Sequence, residues 1–138
     1  MKTSLFDTGF VFAVLDGKDE HHEACSAIYG LESGTAALPD VVLPELAYLI
    51  LRELRVENLV SFLQKVVNGD FVIERTTRED LARAAGILEQ YDDNNIDLAD
   101  AVIVAMAERL EITRILTVDR RHFGVFRPAH CDAFEILP

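Results

Sequence analysis

Apolar and polar positions along this 138-residue chain switch repeatedly between short runs and helical spacing. Brief apolar runs at Lys2–Phe6, Thr35–Leu38, Phe71–Glu74, Ile115–Val118 and Phe134–Leu137 read as strands. Helical segments lie between them. Gly9–Leu15 is a compact apolar helix, and His21–Leu31 places Ala24, Ile28 and Leu31 on one face. Pro44 opens the helix ELAYLILREL, with Glu45 at its head. Val56–Val67 aligns Leu59, Phe62, Leu63 and Val66 in one stripe and stops at Asn68-Gly69. Thr77-Arg78-Glu79-Asp80 has the form of a capping box ahead of a Leu81–Tyr91 helix. After a polar break at Asp92–Asn95, the segment Leu98–Leu110 is apolar almost all round, which predicts a buried helix. Strands alternating with helices predict an α/β fold with a parallel sheet covered on both faces. No repeat or linker divides the chain, so a single domain over residues 1–138 is expected. The pattern leaves the strand order open.

Composition adds limits. Half of the residues are hydrophobic, enough for a sizeable core. The longest apolar run, Ala101–Ala107, is far short of a membrane span. Asp7 interrupts the apolar start, which argues against a signal peptide. Cys25 and Cys131 form no CxxC pair and read as reduced thiols of a cytoplasmic protein. With 13 Lys and Arg against 24 Asp and Glu, the net charge is −11. That charge excludes indiscriminate binding to nucleic acid or to a membrane surface.

Most of the acids fit a solvated surface; five do not. Asp7 and Asp119 each follow an apolar strand, at the sheet edge where α/β sites form. Asp100 lies one turn inside the buried helix, followed by seven apolar residues. A buried carboxylate there needs a cation, a partner or a water-filled cleft. Asp97 precedes it by three residues on the same face, and Glu45 heads its own helix. All but Asp100 have an ordinary alternative as a helix cap or dipole partner. Together they repel. A carboxylate pair ~4 Å apart costs about 4 kcal/mol at an effective dielectric near 20, so convergence calls for a divalent cation. An all-carboxylate set with waters suits Mg²⁺ or Mn²⁺ and disfavours zinc. The His21-His22-x-x-Cys25 group lacks a fourth ligand for a transition metal.

The segments LFDTGFVFAVLD, LPELAYLI, IDLADAVIVAMAERL and ILTVDRRHF, in this order, resemble the acidic motifs of PIN-domain ribonucleases. More narrowly, they are similar to those of VapC-type toxins of prokaryotic toxin–antitoxin pairs. The resemblance runs from Asp7 to about Phe126. It implies a PIN-like three-layer sandwich, an endoribonuclease using Mg²⁺ or Mn²⁺, a homodimer, and inhibition by a VapB-like antitoxin. Asp7, Glu45, Asp100 and Asp119 match the family's four acids, and Asp97 an additional one. Thr8 and Thr117 match small hydroxyl residues beside the first and last acids. On this reading Asp7 and Asp100 bind the metal directly. Glu45, Asp97 and Asp119 hold the waters around it or a second ion. The bound cations would acidify a water and stabilise charge on the scissile phosphate.

RNA also needs positive charge nearby. Between Arg109 and Arg127 five arginines face two acids, a local balance of +3. Arg120 and Arg121, directly after Asp119, are the candidates for holding RNA, with solvated ion pairs as the alternative. His122 is available to assist or is simply a loop residue. A receiver-type phosphoacceptor lacks its late-strand Lys here, and a dehalogenase-like phosphatase would need Asp at position 9, which is Gly. Two further readings stand beside the toxin: a PIN-fold binding module without nuclease activity, and a stand-alone PIN nuclease with no antitoxin.

Overall fold

The computed structural model describes residues 1–138. Its strands are β1 (Ser4–Phe6), β2 (Ala36–Pro39), β3 (Val72–Glu74), β4 (Arg114–Leu116) and β5 (Glu135–Leu137). Its helices are α1 (Thr8–Leu15), α2 (His22–Glu32), α3 (Leu43–Glu53), α4 (Val56–Val67), α5 (Arg78–Gln90), α6 (Leu98–Leu110) and α7 (Arg120–Gly124). All strands pair in parallel, in the order β3-β2-β1-β4-β5. The chain steps outward from β1 to β3, then crosses back to β4 on the other side of β1. Right-handed crossovers therefore put α1–α4 on one face and α5–α6 on the other, giving three layers. The expected α/β sandwich is present, and the topological switch point lies between β1 and β4.

The buried helix of the sequence reading is α6, in which every residue from Asp100 to Ala107 is buried. Other faces differ from expectation. In α2 Cys25 is fully buried and Ile28 and Tyr29 pack against the core, while Ala24 and Leu31 are exposed, so the inward face is rotated from the expected one. In α4 Phe62 is buried but Leu63 is half exposed, so the stripe is narrower than its spacing suggested. β4 ends at Leu116, two residues earlier than expected, although the Thr117 N–H still donates to Leu137 O of β5. Helix α7 lies in a segment otherwise read as a loop and supplies the helical turn that the cap alternative for Asp119 required. Cys25 and Cys131 are both free, and no helix is long and apolar enough to cross a membrane.

Several side chains lock the sheet's carboxyl edge. Asp40, after β2, accepts the backbone N–H and the hydroxyl of Thr76, after β3. At Gly9 an added Cβ would lie 2.8 Å from Val118 Cγ2, so glycine lets α1 meet the end of β4 closely. Thr77 and Asp80 form the expected capping box of α5. Asp80 is also buried, and Arg109 Nε and Nη2, from the end of α6, donate to its two oxygens at 2.9 and 3.0 Å. Burial pushes the Asp80 carboxyl up, but Arg109 and Thr77 together hold it below its ordinary value.

This pair clamps α5 onto α6, and its removal has a defined signature. Arg109→Ala strands a buried carboxylate. Breaking a fully buried pair costs about 3–5 kcal/mol, and the exposure of Arg109 reduces this to about 2 kcal/mol. Because the folded pKa of Asp80 is depressed, the pair stabilises fully above the unfolded carboxylate pKa and is lost as pH falls through the folded one. Urea unfolding of the two proteins should show a wide gap at pH 7 that closes below about pH 4.

Candidate metal centre

Four elements deliver acids to one place. Asp7 leaves β1 and precedes α1, with its N–H bonded to Leu116 O of β4. Asp119 follows β4 and caps α7 by accepting the His122 N–H at 3.1 Å. Asp97 and Asp100 form a reciprocal capping box at the start of α6. Asp97 Oδ1 accepts the Asp100 N–H at 2.9 Å, and Asp100 Oδ2 accepts the Asp97 N–H at 3.2 Å. Glu45 stands exposed in the first turn of α3. All five line a single cavity of about 310 Å³ at the carboxyl edge of the sheet, together with His122. Larger hollows elsewhere, including one between Val60, Leu63 and Val67 of α4, contain none of these acids.

The helix-cap alternatives weighed for Asp97 and Asp119 are therefore real, and Asp100 has a backbone donor as well. Caps do not exclude a second task. Each capping carboxylate keeps an oxygen or lone pair for the cavity. Thr117 ties the two strand ends together: its hydroxyl donates to Asp7 Oδ2 at 2.7 Å and accepts the Asp119 N–H at 3.0 Å. Thr8 also lines the cavity, and its buried hydroxyl has no hydrogen-bond partner. His122, for which a plain loop role was one reading, places Nδ1 3.0 Å from Asp119 Oδ2 and 3.5 Å from Asp100 Oδ2. Its signal in the sequence was the three-residue spacing from Asp119, which only becomes informative once that segment is known to be helical.

Electrostatics mark this cavity as short of positive charge. Burial pushes the Asp7 carboxyl up, against bonds from Thr117 and the Thr8 backbone, and Glu45 and Asp119 push it further. Asp100 is 6% exposed; burial raises its carboxyl to about 7, with repulsion from Asp97 and Asp7 adding to the shift. No three of the acid or imidazole side chains are arranged to grip an ion directly. Mg²⁺ does not require that, since it keeps several waters and takes one or two carboxylates. An all-oxygen donor set, an unpartnered hydroxyl and carboxylates starved of counter-charge fit such a hydrated hard cation.

The arginines distribute differently from the expected basic cluster. Arg109 is spent on Asp80 and Glu74, and Arg114 on Glu32 and Glu135. Arg120 Nη2 donates to Ile136 O, and Arg127 to Gly124 O and Phe126 O. Arg121 is exposed and keeps its guanidinium for solvent. The local excess of +3 thus shrinks once ion pairing inside the fold is considered.

The PIN domain model matches residues 4–126. The chain is 29% identical over 134 residues to Ribonuclease VapC26 of Mycobacterium tuberculosis, covering 97% of this chain and 99% of that one. Its fold is similar to that of the sarcin–ricin-loop-cleaving toxin VapC20 of Mycobacterium tuberculosis, at a TM-score of 0.79 and 18% identity over 86% and 92% of the two chains. It is also similar to DNA-bound VapBC from Salmonella typhimurium, at a TM-score of 0.74 and 15% identity over 99% and 97%.

The raised Asp100 carboxyl makes a stability prediction for protein kept in EDTA. Between the ordinary carboxylate pKa and about 7, the folded protein holds a proton that the unfolded chain has released, so stability falls as pH rises. Asp100→Asn removes that slope while retaining an oxygen for the Asp97 N–H. The variant should be more stable than the parent by about 1–3 kcal/mol at pH 8, with the advantage shrinking toward pH 5. Denaturant titrations at both pH values measure it; a less stable variant at pH 8 would mark Asp100 as a structural acid.

Proposed function

The chain belongs to the PIN domain family, and from that premise we propose that it is a Mg²⁺- or Mn²⁺-dependent endoribonuclease, the toxin of a VapBC-type toxin–antitoxin pair. The observation that carries the reading is the convergence of Asp7, Glu45, Asp97, Asp100 and Asp119 in one cavity beside the switch point of the sheet. Asp7 and Asp100, the more buried carboxylates, hold the metal directly. Glu45, Asp97 and Asp119 orient its waters or a second ion. Thr117 fixes one oxygen of Asp7, and Thr8 offers the cavity an unused hydroxyl. When bound, the cation acidifies a water and offsets the charge that builds on the scissile phosphate. Arg121, with Arg120 beside it, holds the RNA backbone at the cavity's margin.

Partner binding has separate support. Tyr48 and Leu51 of α3 and Val56, Val60, Leu63 and Val67 of α4 are exposed apolar residues on two packed helices. An apolar surface of this kind suits protein contact. We assign it to assembly in general, with a VapB-like antitoxin and a second copy of the chain as the partners, in the cytoplasm. The whole chain then works as one PIN unit.

Purified protein free of antitoxin should cut single-stranded or structured RNA with Mg²⁺ or Mn²⁺ and stop in EDTA. Millimolar Mn²⁺ should raise its melting temperature by about 2–5 °C, as a ligand specific for the folded state does. Asp7→Asn and Asp100→Asn should each lower cleavage at least about a hundredfold. Cleavage that survives EDTA would sink the metal-dependent reading. Metal uptake without any RNA cleavage would favour the binding module instead.

Arg121→Ala should raise the KM for RNA several-fold and leave the response to Mn²⁺ unchanged. The slope of log affinity against log salt should fall by about 0.7, the value for one lost contact to single-stranded RNA. Steady-state cleavage across a salt series reads both.

A further inference from the structure

His122 touches the acid cavity in an unusual way. It grips both oxygens of one carboxylate: its backbone N–H donates to Asp119 Oδ1 at 3.1 Å, and its ring Nδ1 lies 3.0 Å from Asp119 Oδ2. The same Nδ1 is 3.5 Å from Asp100 Oδ2, so one imidazole edge spans the acid after β4 and the acid at the head of α6. With a proton on Nδ1, the ring edge faces acceptor oxygens of both carboxylates. The residue is itself anchored. Phe123, next in the chain, is buried against Phe126, and Asp119 caps the turn that carries His122.

We propose that His122 is a positioning residue of the metal centre, holding the Asp119 and Asp100 carboxylates at the separation and rotation that the cation needs. This rests on the reading of the acids as metal ligands. Left alone, two such carboxylates repel and rotate apart. A Lys or Arg between them would hold them together, but its fixed charge would compete with the ion. An imidazole edge carries no obligatory charge, so it can set the positions of the pair and leave their negative charge for the metal. Outer partners of this kind govern ligand geometry, and their loss commonly costs about 10–100-fold in affinity or activity.

The side chain is half exposed, so its replacement should not unfold the protein, which melting in EDTA verifies. Asn and Gln separate the two ring nitrogens. The amide nitrogen of Asn reaches the Nδ1 position, whereas that of Gln reaches the Nε2 position. Calorimetric titration with Mn²⁺ in the absence of RNA should show His122→Ala binding about tenfold more weakly than the parent. His122→Asn should recover most of the affinity and His122→Gln little. In cleavage assays the Mn²⁺ concentration for half-maximal rate should rise in the same order, with the KM for RNA unchanged at saturating metal. Parent-like Mn²⁺ affinity in His122→Ala overturns the proposal. So does a raised KM for RNA that Gln rescues and Asn does not, since that pattern belongs to a ring touching RNA through Nε2. A parent protein that takes up no Mn²⁺ overturns the metal reading beneath it, and so the two failures are told apart.

Discussion

Mutual repulsion among carboxylates gathered at one sheet edge is the constraint around which this fold is arranged. The parallel strands end together, and the crossing from β3 to β4 brings α6 with its two acids to the same edge. Beyond the capping box that pairs Asp97 with Asp100, nothing in the local chain favours this gathering. It is imposed by the packing of α6, whose apolar residues from Ala101 to Ala107 bury completely and carry Asp100 into the interior with them. The fold then fixes the acids with neutral donors. Thr117 serves Asp7, backbone N–H groups serve Asp97 and Asp100, and His122 serves Asp119. These bonds orient the carboxylates without cancelling their charge.

That choice of donors contrasts with the other buried acid. Asp80 occupies the same place in its capping box as Asp100 does in its own, three residues after the cap. One is met by Arg109 in a paired geometry and held below the ordinary carboxylate range; the other meets no arginine and is raised to about 7. The same local sequence grammar thus yields a structural clamp at α5 and a charged cavity at α6. The difference lies wholly in what the rest of the chain brings alongside. This is the clearest reason to assign the two acids different roles.

The contrast also explains which features were legible beforehand. Asp100 stood out because a carboxylate ahead of seven apolar residues has few ordinary explanations, and Asp7 and Asp119 because apolar strands ended on them. The element order and the α/β class followed from periodicity. Asp80 did not stand out, since its capping-box position accounts for it fully until α6 is known to cover it. The arginines misled for a related reason: their density between Arg109 and Arg127 is visible, but their pairing with Glu32, Glu74 and Asp80 depends on contacts across 29 to 82 positions. Helix faces such as Leu63 and Leu31 erred because spacing reveals that a stripe exists, not how wide the neighbouring element is.

Net charge takes on a narrower meaning in this light. A chain at −11 that spends Arg109 and Arg114 on internal acids has little fixed positive charge to give an anionic substrate. Long-range attraction to RNA is therefore weak, and screening at physiological salt shortens it to about 8 Å. On the proposed function, recognition of RNA would be made close to the cavity, by the few guanidinium groups left unpaired and by the cation that the carboxylates would hold. A bound cation would offset part of the carboxylate charge where a phosphate approaches, so the acids that repel RNA when bare would oppose it less. Metal occupancy would then bear on binding as well as on chemistry. On that reading, the cost of a desolvated acid cluster is tied to substrate affinity and reactivity together.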